Sequence, residues 1–188
     1  ANSAFFTTVL AGFFPVFFQK FWSVGVDPTV STSRLGFANG IAGLLVAIAA
    51  PVLGAMADRT AGRKRQLLLW TALGVLGTAS LGLIGQGQWQ WAAAAFVIAG
   101  IGFNAANIFY DALLLDVAEE SEYDRVSAFG YSAGYLGGGL LFAVNVLMTL
   151  QPAWFGLANA ADAVLASFMS VALWWAVFTI PLARNVRE

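Results

Sequence analysis

Gly100, Asn104, Asn107 and Asp111 recur at i, i+4, i+7 and i+11 of a long apolar run, so in a helix they share one face. Two amides and a carboxylate on such a stripe are costly against lipid. Their chemistry is hydrogen bonding and charge pairing: they hold polar groups of a solute, or of another helix. Asp111 lies about 20 residues past Trp91, near one membrane interface, and reads as reaching water there. For Asn104 and Asn107 both uses stand, a wet cavity or interhelical bonding. Asn2 and Thr7 open the first apolar run, and Tyr131 and Tyr135 lie along one side of a later one. These four complete the set of cavity candidates.

Other chemistry is closed off. The 188 residues include no Cys and no His, which removes disulfides, thiolate reactions, His-ligated metal and the Ser–His–Asp and Cys–His arrangements. Asp116, Glu119, Glu120, Glu122 and Asp124 crowd one connector and read as a solvated acidic turn. "GYLGGG" lacks the Lys-Ser/Thr of a phosphate loop. No enzyme, cofactor or metal is expected, and a net charge of −1 gives no reason to expect nucleic acid.

The elements that position these residues follow from composition. The chain is 60% hydrophobic and 10% charged, too apolar for a water-facing surface. An all-α polytopic membrane protein accounts for this. A bilayer core about 30 Å thick takes roughly 20 apolar residues per helix. Six such segments are expected, near residues 3–22, 35–57, 66–85, 91–115, 126–150 and 163–182, with short connectors such as "SVGVDPTVSTS" and "GQGQ". Pro15 removes a backbone bond inside the first and is expected to kink it. The first run lacks the flanks of a signal peptide, and the chain reads as a segment of a longer one.

Alternating loops put Arg59, Arg63, Lys64, Arg65, Arg125, Arg184 and Arg187 on one side, against Lys20 and Arg34 on the other. That bias places both termini in the cytoplasm of a cell-membrane protein. Gly36, Gly40 and Gly43 line one face of the second segment, and Gly130, Gly134 and Gly138 one face of the fifth. Small faces allow close helix contact, either inside this unit or against a second bundle.

The connector "GAMADRTAGRKRQL" resembles the loop between helices 2 and 3 of the major facilitator superfamily, G-x-L-A-D-R-x-G-R-K-x-x-L. Gly54, Asp58, Arg59, Gly62, Arg63, Lys64 and Leu67 match; Met56 replaces Leu, and one extra residue precedes Gly62. "ANSAFFTTVL" and "FYDALLLDVAEESEYDRVSAFGYSAGYLGGGLL" look like the vacuole-effluxer, autophagy-related branch. The resemblance implies the N-terminal half of a rocker-switch transporter, residues 1–188 forming one six-helix bundle. It further implies a cavity lined by helices 1 and 4, with helices 2 and 5 meeting the other half. Asp58 would contact a helix of that half, while Arg59, Arg63 and Lys64 would latch to carboxylates or lipid headgroups. The expected partners are a small polar solute (amino acids by family branch), the lipid bilayer, and either a C-terminal six-helix half or a second copy. A six-helix scaffold that transports nothing is the other reading.

Overall fold

In a computed structural model of the chain, residues 2–58 and 62–186 are described. Six long helices make up the fold: α1 (Phe5–Trp22), α2 (Pro28–Ala57), α3 (Arg63–Leu81), α4 (Trp89–Val117), α5 (Tyr123–Leu150) and α6 (Ala160–Asn185). No strand occurs among the described residues. Five of these helices are long and apolar enough to cross a membrane; α3 falls short of that measure. Its 19 residues begin Arg-Lys-Arg-Gln, and those four polar side chains lower the mean of an otherwise apolar helix.

Helix α2 begins at Pro28, inside a stretch that the sequence suggests is loop. The reason is local. Asp27 accepts a hydrogen bond from the Thr29 backbone N–H at 2.8 Å, and Pro28 needs no donor in the first turn. The hydroxyls of Thr32 and Ser33 then donate back to Pro28 and Thr29 carbonyls at 2.8 and 2.9 Å. Asn159 caps α6 in the same way, accepting from the Asp162 N–H at 3.0 Å.

Instead of a simple proline kink, α1 changes register. It is π-helical over Phe5–Phe13 and Phe18–Trp22, with an α-helical turn between them, Phe14–Phe17, that holds Pro15. A residue without an N–H fits where one hydrogen-bond ladder gives way to another. The wide helix spreads its aromatic side chains: Phe14 stacks on Phe96 of α4 at 4.0 Å between ring centres, and Trp22 on Phe168 of α6 at 5.7 Å. Phe5, Phe14, Phe18, Trp22, Phe168 and Trp175 form the buried centre.

Helix α3 packs along α4 and α6, and α4 also contacts α2. The α3–α4 crossing is close because it is made of glycine. A Cβ at Gly77 would lie 2.7 Å from the Ala99 backbone nitrogen, and one at Gly102 would lie 2.8 Å from the Trp70 carbonyl. By contrast, α2 and α5 are peripheral: 11% of their most apolar stretches is buried, against 50% in α4. At one end of the bundle, Trp22 donates to the Ile84 carbonyl at 3.1 Å, and the Arg34 guanidinium sits 4.1 Å above the Trp89 ring. The opposite end gathers the starts of α1, α3 and α5 with the ends of α2, α4 and α6.

Candidate functional site

Between α1, α3, α4, α5 and α6 lies a cavity of about 220 Å³, lined by Asn2, Ser3, Thr71, Asn107, Tyr110, Tyr131 and Thr179 together with apolar side chains. Asn2 Nδ2 donates to Asn107 Oδ1, joining the start of α1 to α4. A second cavity of about 320 Å³ shares Tyr110 and Tyr131 with the first and adds Asp111 and Ser127. The Tyr131 hydroxyl donates to Asp111 Oδ1 at 3.0 Å, joining α5 to α4. Polar groups from separate helices thus converge, while α4 buries its apolar residues Ala105 and Phe109 on other sides.

Glycines on α5 create this space. A Cβ at Gly130 would lie 2.7 Å from the Tyr110 hydroxyl, and one at Gly134 would lie 2.7 Å from Ser3 Oγ. Both line the first cavity. Gly138 lets the backbone of Ser3 and Ala4 approach α5, a Cβ there falling 3.1 Å from the Ala4 nitrogen. The stripe on α2 behaves differently. At Gly36, Gly40, Gly43 and Gly54 an added Cβ would meet nothing within 4 Å among the described residues, so packing against these does not account for them.

Three candidates stand apart from the cavities. Asn104 is exposed and donates to the Gly100 carbonyl of its own helix at 2.8 Å. Tyr135, one turn beyond Tyr131, is exposed and lines neither cavity. The Thr7 hydroxyl donates to the Ser3 carbonyl at 3.1 Å and reaches the Gly138 carbonyl at 3.4 Å, which gives it a place in α1–α5 packing. Thr71 and Thr179 are lining residues that the sequence does not single out, since each is one of three hydroxyl side chains in its helix.

The basic connector adopts a specific geometry at the end of the bundle. Asp58 is exposed and ends α2, its N–H donating to the Gly54 carbonyl at 2.9 Å. Gly62 starts α3 with φ of 93°, a left-handed conformation that favours glycine. Arg63 then turns inward. It is 5% exposed, donates from Nε to the Ala57 carbonyl at 2.6 Å, and pairs with Asp116 at 2.8 Å. Lys64 Nζ donates to the Val186 carbonyl at 2.7 Å, tying α3 to the end of α6. Arg59 and Arg187 lie outside the described residues. Asp116 is therefore not simply part of a solvated acidic turn: one of the five carboxylates there holds a buried arginine.

An all-helical bundle with several apolar spans and a shared polar cavity defines a multi-pass membrane protein with an internal polar pocket. The chain belongs to the Major Facilitator Superfamily, whose family model matches residues 2–188. It is similar to the uncharacterized MFS-type transporter YxiO of Bacillus subtilis (strain 168), with 34% identity over 191 residues covering all of this chain. The chain spans 44% of that relative's length. No solved structure matches it.

Proposed function

We propose that residues 1–188 form the N-terminal six-helix half of a facilitator-type transporter, which moves a small polar solute across the cell membrane by alternating access. The observation that carries this reading is the polar cavity closed by Asn2 and Asn107, in a unit otherwise built of apolar spans. Family membership supports it. On this reading α3 is the sixth span: its 19 residues measure about 28 Å at 1.5 Å per residue, and its basic first turn lies at the cytoplasmic surface. Both termini face the cytoplasm on this reading, which the excess of basic residues at that end supports. The exposed small face of α2 then meets the C-terminal half, or a second copy, and Asp58 stands at that junction. The vacuole-effluxer resemblance supports amino acids as the solute class.

Uptake and counterflow of labelled amino acids by the intact protein in proteoliposomes test this. Asn107→Ala is expected to lower transport at least tenfold while the protein stays folded, because a bond between two cavity-forming helices is lost. Asp58→Asn is expected to slow turnover with little change in binding. Wild-type rates in both variants would sink these roles, and an inactive wild-type protein would sink the transport reading.

A further inference from the structure

We propose that the two adjoining cavities bind the amine-bearing, positively charged end of the solute, with Asp111 as its counter-charge. This rests on reading the cavities as the solute path. Their linings contain one carboxylate and, among the described residues, no lysine or arginine. At this end of the bundle Arg63 is engaged with Asp116 and the Ala57 carbonyl, and Lys64 with the Val186 carbonyl. Asp111 differs from Asp116, since no cation pairs with it among the described residues. One of its oxygens is fixed by the Tyr131 hydroxyl at 3.0 Å.

The chemistry of the lining then selects by charge. An anionic solute would meet a carboxylate with no compensating cation. A neutral solute would bring no charge to match it. An ammonium group supplies the missing charge and donates to the free oxygen. Tyr110 and Tyr131, which line both cavities, are aromatic side chains of the kind that attract a cation. The tyrosine hydroxyl orients the carboxylate before the solute arrives.

The test uses the purified intact protein and three probes of one shape: phenethylamine, 2-phenylethanol and phenylacetate. Phenethylamine is expected to bind about 10- to 100-fold tighter than the other two, the range of a charge-assisted hydrogen bond. Asp111→Asn is expected to abolish that preference and Asp111→Glu to keep it. Tyr131→Phe, which deletes one hydroxyl, is expected to weaken the amine about 3- to 10-fold, and it gives a second readout should Asp111→Asn fail to fold. Equal binding of the three probes, tighter binding of phenylacetate, no amine binding, or a preference intact in Asp111→Asn would overturn the proposal. Amine binding that depends on Asp111 without counterflow in proteoliposomes supports this site and defeats the transport reading. Counterflow of a neutral or acidic solute, alike in wild type and Asp111→Asn, does the reverse.

Discussion

Asp116→Ala is expected to destabilise the folded protein by about 3 kcal/mol, measured as thermal unfolding in detergent. The substitution leaves the Arg63 guanidinium 5% exposed with no carboxylate beside it. Removing one partner of a buried pair costs about 3–5 kcal/mol, because the remaining charge stays desolvated. The lower end applies here, since Asp116 is itself 25% exposed and water screens part of the attraction. The neighbouring Glu120→Ala serves as the comparison. Glu120 is exposed and makes no ion pair among the described residues, so its loss should fall within about 0.5 kcal/mol. Replacing both partners, Arg63→Met with Asp116→Leu, is expected to recover much of the loss, because no buried charge remains. Equal melting of Asp116→Ala and Glu120→Ala would mean that the Ala57 and Asp58 carbonyls, which accept from the Arg63 guanidinium at 2.6 and 3.4 Å, alone satisfy it.

Gly102→Val is expected to prevent α3 from docking on α4. A Cβ at this position runs into the Gly74 backbone and lies 2.8 Å from the Trp70 carbonyl. Backbone cannot rotate away as a flexible side chain can, so the helices must separate. Overpacking of this kind costs about 1–3 kcal/mol even where side chains adjust, and a backbone clash lies at or beyond the upper end. Loss of monodisperse protein, or a melting temperature well below wild type, is the expected result. Gly40→Val on α2 is the contrast, since a Cβ there meets nothing within 4 Å. It should leave this bundle folded yet impair the intact protein if α2 packs against another unit. Similar damage to folding from both substitutions would mean that glycine serves α2 for some reason other than an interface.

These two results bear on what the sequence can reveal. Apolar length and turn residues place most helix ends to within a few residues, because turn residues interrupt the long apolar runs that fold as helix. The start of α2 is not legible in the same way, because Asp-Pro reads as a turn. Here Asp27 is a cap, and the Ser and Thr hydroxyls bond within the helix they would otherwise interrupt. Asn107 can be picked out by its face, but Asn104, three residues before it, turns outward. The rotation of α4 is set by Ala105, Ala106 and Phe109 packing inward, and spacing alone does not fix it. Likewise, the glycines that matter most for α3 and α4 are Gly74, Gly77 and Gly102, which form no long stripe. The longer α2 stripe is the more conspicuous in sequence, yet a Cβ on its glycines would touch nothing among the described residues. Asp116 is hidden among four other carboxylates in sequence. Only the fold brings α3 alongside the end of α4 and singles it out.

Thiol accessibility tests the central claim most directly, and the chain's lack of cysteine makes it practicable. Thr179→Cys, in the lining of the first cavity, can be placed in the intact protein, with any cysteines beyond this chain replaced, and exposed to a membrane-impermeant thiol reagent from each side of the bilayer. The account predicts reaction from both sides as the protein alternates, slowed by transported solute. It also predicts no reaction at Asn145→Cys, which replaces a fully buried residue between α5 and α6. Labelling of Thr179→Cys from one side only, or no faster than Asn145→Cys, would contradict a solute path through this cavity.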